Sequence, residues 1–397
     1  MPDSDTGREA IAQASLEPKE AAQELFNKGQ ALIRQGKTRE AFAVLDELDR
    51  RFGQDPRRSV RAILAQALSL RAEASASPTE SFAAQVEIGR RYGEDIDPAL
   101  RGQIVTSMFD RAANLAKEGN LSGAIHIYKE IEQTYGQGGS NDKSWGAWAI
   151  SYQGDLQRQL RNPKAAVAAY ERLDQRFAQE TSPAVRTIVA DALLKKGEVL
   201  AEQGETRAAI AAYEEIDRRY AQDRDAGFRH RAVRALFAKG ALLGTHGTGE
   251  NPGSESQAKP TGNTAAAVAV YDDIVQRFGR DKDSNIRNFI RGTLLKKSEA
   301  LRLAGDDQGT IAVYDEIVAR FGNDDAKASR VLVATALFRK GLALGRLEGA
   351  SPAAIAAFEE IIRRFASDPD PDVRKIIGQA NAAKHKLATE AAPMNDN

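Results

Sequence analysis

Trp145 and Trp148, the only tryptophans of the chain, lie one helical turn apart in the run KSWGAWAISY. Tryptophan joins a large apolar body to one polar handle and is enriched at binding hot spots, so this pair serves either as buried packing or, through Trp148, as an exposed anchor for a peptide. Adjacent carboxylates such as Glu214 and Glu215 could divide acid and base roles. That chemistry needs surroundings that push two pKa values apart, and this pair recurs on a face the pattern leaves in solvent. His126, His230, His246 and His385 show none of the short spacings that make a metal site. Lys195 and Lys196 precede Gly197 in mid-helix, whereas a phosphate loop needs several glycines after a strand. The absence of cysteine removes disulfides, thiolate nucleophiles and thiolate metal ligands together. These residues imply no enzyme, no cofactor and no metal.

The elements that carry these residues are repeats. Phe52, Tyr92, Tyr135, Phe177, Tyr220, Phe278, Phe321 and Phe365 recur about every 43 residues, each at the end of a helix-like segment. In the fifth unit Val185, Ile188, Val189, Ala192 and Leu193 continue to Gly197 and Leu200 as the apolar face of a long helix A. Gly204 breaks the run, Thr206 is a candidate cap, and Ile210, Tyr213, Ile216 and Tyr220 form the stripe of helix B. A small residue in helix A (Gly29, Gly154, Gly197, Ser298) precedes the terminal aromatic of helix B by a constant interval. Ser69 and Ala112 take the place of the glycine in the second and third units, and Gln85 replaces the aromatic in the middle of the second helix B. The sixth unit is longer, and its excess falls in a Gly, Ser and Pro-rich segment read as a surface loop, residues 245–262.

The expectation is an all-α chain of 17 helices: eight pairs and a polar, capping helix A at the C-terminal end. Residues 18–390 are expected to form one α-solenoid, with tails at 1–17 and 391–397. Helix B carries acid-first pairs four residues apart, among them Glu47 with Arg51, Glu215 with Arg219 and Glu316 with Arg320. Such pairs stabilise a helix and read as a solvated, supporting face.

Lys plus Arg and Asp plus Glu number 56 each in 397 residues, so no overall field favours nucleic acid or an anionic membrane. Neither a basic-then-apolar leader nor a long apolar run is visible, and the expected compartment is the cytoplasm, without membrane insertion.

The register of Gly197, Ala209 and Tyr213, repeated as Gly154, Ala166 and Tyr170 and, with one extra residue, as Gly341, Ala354 and Phe358, resembles the tetratricopeptide repeat. The resemblance covers roughly residues 19–390. Its period is longer than that family's, which points to a helix A extended at its N-terminal end. Lys28, Lys196, Lys239, Lys297 and Lys340 stand where the family carries Leu. Periods of 40–47 residues also belong to HEAT and armadillo repeats.

The resemblance implies a right-handed superhelix that binds a peptide or protein on its concave helix-A surface. The family's groove positions, two before and one after the small residue, fall here on Asn27, Lys195, Lys296 and Arg339 and on Gln30, Glu198 and Glu299. With Trp148 these are the candidate peptide-binding residues. The expected function is a scaffold or adaptor for a protein partner. Alternatives are a cell-envelope assembly factor, and a regulatory array controlling a partner enzyme or transcription factor with the 245–262 segment as its switch.

Overall fold

The computed structural model describes residues 4–93, 96–138, 140–245, 263–347 and 351–390, and these contain 17 α-helices and no strand. The first unit, Met1–Ala192, and the second, Leu193–Asn397, are separate compact bodies. The helices of the first are α1 (Ser4–Arg34), α2 (Thr38–Phe52), α3 (Arg58–Ala74), α4 (Pro78–Tyr92), α5 (Pro98–Lys117), α6 (Leu121–Thr134), α7 (Ser140–Gln159) and α8 (Pro163–Phe177). The chain boundary falls within α9 (Pro183–Glu202). The second unit continues with α10 (Thr206–Tyr220), α11 (Ala226–Thr245), α12 (Thr264–Phe278), α13 (Ser284–Leu303), α14 (Asp307–Phe321), α15 (Lys327–Leu344), α16 (Ser351–Phe365) and α17 (Pro371–Glu390). Odd-numbered helices are the A helices and even-numbered ones the B helices, and within each unit consecutive helices pack together from α1 to α8 and from α10 to α17. No described helix is long and apolar enough to cross a membrane.

Two expectations change here. Helix α1 already begins at Ser4, so residues 4–17, expected as a tail, are helical. Thr206 is the first residue of α10 instead of its cap, Glu205 holding the capping position without a side-chain bond. The 246–262 part of the expected loop and the 391–397 tail lie outside the described residues.

Local chemistry sets the ends. Four of the turns from A to B use a left-handed glycine, Gly36, Gly119, Gly204 or Gly305, at φ of 75 to 85°. In the fourth repeat Arg161 adopts φ 57° at the same place. The amide after this residue closes the turn on helix A, as Glu205 N–H does on Leu200 O at 2.9 Å and Asn162 N–H on Gln157 O at 2.9 Å. Asn120, Asn162, Asn263 and Asp306 then cap the B helices by accepting a backbone N–H from the helix's first turn.

The small residue of helix A is a steric requirement. A Cβ on Gly197 would lie 2.4 Å from Tyr213 Cε1, and one on Gly154, Gly240 or Gly341 would lie 2.5 Å from Tyr170, Tyr271 or Phe358. The mid-helix aromatic of B therefore lies flat on a bare stretch of A, and Tyr170, Tyr213, Tyr271, Tyr314 and Phe358 are buried.

Charges join each repeat to the next. The first acid of each helix-B pair bridges to the following helix A: Glu214 to Lys239 at 2.6 Å, Asp272 to Lys297 and Asp315 to Lys340 at 2.5 Å, Glu359 to Lys384 at 3.4 Å, and Asp46 to Arg71. The second acid stays on its own helix, as in Asp273 with Arg277 at 2.7 Å and Glu316 with Arg320 at 2.8 Å. This explains Lys239, Lys297 and Lys340, which stand where the resemblance expects Leu, and it leaves Glu214, Asp272 and Asp315 with structural partners. Counted from the clasp, the small residue of the second repeat is Ala72, with Ser69 one turn earlier. The helix-B arginines are also more than a solvated face. Arg91 reaches Asp49 at 2.9 Å, Arg176 donates to Gly136 O at 2.8 Å and Arg277 reaches Asp217 at 2.5 Å, each at the C-terminal end of the preceding helix B.

Two joints in the first unit lack the clasp. Val86 and Lys129 stand where the acid would be, opposite Arg111 and Gln153. Arg111 lies over the Phe82 ring at 5.3 Å, and Gln153 donates to Glu132 at 2.8 Å.

Candidate functional site

In the first unit the crevice formed by α5, α6 and α7 is aromatic. Tyr128 of α6 is its floor, 5% exposed, and Tyr152 of α7 stacks on it with ring centroids 5.2 Å apart. Trp148, one turn earlier on α7, stacks on Tyr152 at 5.6 Å, and Phe109 of α5 closes the group at 5.7 Å from Tyr128. Trp148 and Tyr152 are 40% and 38% exposed, large apolar surfaces turned to solvent. Burial, then Tyr152 and Asp155, pushes the Tyr128 hydroxyl up to about 12, so it stays a neutral hydrogen-bonding group at neutral pH. Asp155 accepts from Tyr170 at 2.7 Å. Trp145 packs against the core, so the two tryptophans have opposite roles.

In the second unit the equivalent crevice, formed by α13, α14 and α15, is cationic. A pocket of about 200 Å³ is lined by Arg302, Thr310, Tyr314, Arg339, Leu342, Ala343 and Arg346. Arg346 pairs with Asp307 at 2.6 Å. Glu299 lies within the field of Arg302 and Arg339, and its carboxyl is held below the usual range chiefly by a hydrogen bond from Lys296.

The structure distributes the candidate residues among these surroundings. Asn27 and Gln30 lie on α1, where Asn27 accepts from Gln23 at 3.0 Å. Lys195 and Glu198 lie on α9, and Glu198 pairs with Arg234 of α11 at 2.7 Å. Lys296 and Glu299 pair with each other at 2.9 Å on α13, and Glu299 feels the charge of Arg339 on α15, which lines the pocket. The expected columns of cations and acids are thus partly paired. Tyr152 occupies in its repeat the position that Lys195 and Arg339 hold in theirs, so the same register would have found it. Phe109, Arg302, Tyr314 and Arg346 needed knowledge of which helix faces which. His126 and His230 pack edge-on against Phe82 and Phe289. Among the described residues no group of three or more His, Asp or Glu converges as metal binding requires.

Residues 191–223, the end of one helix A and the following helix B, match the family model of the tetratricopeptide repeat. The chain carries tetratricopeptide repeats. No curated protein matches by sequence. Among solved structures the chain is similar to a tetratricopeptide repeat protein from Parabacteroides merdae, at 11% identity over 91% of this chain and 99% of that one, with a TM-score of 0.29. It is also similar to the apo form of RapI, at 10% identity over 93% and 99%, TM-score 0.43. The tetratricopeptide domain of P58(IPK) is similar at 11% over 94% and 100%, TM-score 0.29. Likenesses this distant say nothing about what the repeats bind.

Proposed function

We propose that the chain is a non-enzymatic scaffold that holds a protein segment on its helix-A face, with the Trp148–Tyr152–Tyr128–Phe109 stack as the anchor. The exposed stack carries this reading. Burying two large aromatics that folding leaves 40% and 38% exposed supplies apolar free energy, and their stacked geometry means little side-chain freedom is lost on binding. The neighbouring carboxylate of Asp155 and hydroxyl of Tyr128 give direction to polar groups of the segment. The tetratricopeptide register supports a scaffold in the same sense.

Affinity capture with the full chain tests it. Partners recovered by the wild type should be lost with Trp148→Ala and with Tyr152→Ala, while helicity and melting temperature stay unchanged. Undiminished recovery by both variants would remove the anchor. Lys195→Glu with Lys296→Glu applies the same test to the polar candidates.

A further inference from the structure

The arginine crevice of the second unit has an imbalance that its own residues do not resolve. Arg346 has Asp307, and Glu299 has Lys296. Arg302 and Arg339 make no hydrogen bond or close ion pair among the described residues, and the acid that feels them, Glu299, is already bonded elsewhere. Tyr314 lines the same pocket at 2% exposure, and its hydroxyl has no hydrogen-bond partner among the described residues. The hydroxyl oxygen is reached from the pocket, where it can donate to a ligand oxygen. In the fourth repeat the equivalent Tyr170 spends its hydroxyl on Asp155, the residue after the small one. Here that residue is Glu299, drawn away by Lys296, so the hydroxyl is left for the pocket.

We propose that this pocket receives a phosphoryl group carried on a peptide side chain. The two solvent-exposed guanidiniums, whose nearest acid Glu299 is bonded to Lys296, match the charge of a phosphomonoester, about −1.5 to −2 at pH 7. Their planar forks suit its three oxygens, and the Tyr314 hydroxyl supplies one further donor. A carboxylate brings one charge and two oxygens and leaves one guanidinium unmatched. Leu342, 43% exposed, and Ala343 give the lining an apolar part, which fits a phosphoryl group on a chain better than the free ion. The proposal rests on the reading of the helix-A face as a protein-binding surface and names the chemistry of one ligand group.

The test measures binding of the full chain to mixed-sequence peptides centred on phosphoserine or phosphothreonine with apolar flanks. The comparison pools carry the unmodified residue or Glu at the centre, and inorganic phosphate is the competitor. The phosphorylated pool should bind about tenfold more tightly than either other pool, the scale of one charge-assisted hydrogen bond. Arg302→Glu and Arg339→Glu should each abolish the preference, Arg339→Lys should weaken it, and Tyr314→Phe should reduce it several-fold with helicity retained. Trp148→Ala should leave it unchanged, so failure here and failure of the aromatic anchor are separate results. Equal binding of the Glu pool, indifference to Arg339→Glu, or inorganic phosphate binding as tightly as the peptides would each overturn the proposal.

Discussion

The crevice of α5, α6 and α7 and that of α13, α14 and α15 are the same place in two repeats, and they differ in almost every exposed atom. Each has a buried tyrosine from the middle of helix B as its floor, Tyr128 or Tyr314. Each has a wall formed by the residue two before the small position of the next helix A, Tyr152 or Arg339. The first wall continues into Trp148 and Phe109, the second into Arg302 and Leu342. A constant frame thus separates packing from recognition. The small residue of helix A and the tyrosine fix the crevice, and the helix-A residues around it choose between an apolar and an anionic ligand group.

The largest loss is expected where an aromatic of the frame is removed. Tyr170→Ala, opposite Gly154, should cost about 3–5 kcal/mol because it leaves a cavity between helices of the same repeat. Trp148→Ala should cost less than about 1 kcal/mol, since its side chain is largely exposed already. Urea unfolding of the two variants checks the contrast, and equal losses would merge frame and wall.

A smaller effect is expected from exchanging the two walls. Arg339→Tyr should weaken phosphopeptide binding about tenfold and Tyr152→Arg should remove the partner captured by the aromatic stack. Each should leave the other ligand within about twofold, as independent sites do. Titration of both single variants with both ligands measures this directly.

The smallest effect is expected at the turn between α14 and α15, at the opposite end of these helices from the arginine crevice. Asp324 accepts from Ala326 N–H at 3.0 Å and from Ser329 at 2.8 Å, with Arg287 at 2.7 Å, and the backbone bond leads in holding its carboxyl below the usual range. A depressed folded-state pKa contributes stability that is present above the unfolded value of about 3.9 and is lost as pH falls through the folded value. Asp324→Asn should therefore lower the urea midpoint at pH 7, and the gap from wild type should close below about pH 4. A gap independent of pH would show that packing and not charge is responsible.

Much of the frame was legible because it is written within one repeat. The interval from Gly154 to Phe177 or from Gly197 to Tyr220 fixes how one hairpin folds, and the aromatic ends marked helices that the structure closes at Phe52, Tyr92, Phe177 and Tyr220. What joins one repeat to the next was harder to read. Lys239 and Lys340 stood out as departures, and only their bonds to Glu214 and Asp315, 25 residues earlier, give them a role. Trp148 was visible through its residue type. Tyr152 shares the register of Lys195 and Arg339, but a tyrosine there has the same composition as a core tyrosine until the neighbouring helices are placed. Arg302 and Tyr314 meet only because α13, α14 and α15 converge.

The order of two adjacent acids on helix B has a mechanical consequence. The first governs how stiffly one hairpin is hinged to the next, and the second governs how well its own helix persists, so a sequence can adjust bending without weakening its rods. Where Val86 and Lys129 occupy the first place, that restraint is missing on either side of the α5–α6 hairpin. Load applied along the first unit should be taken up there before any other joint yields.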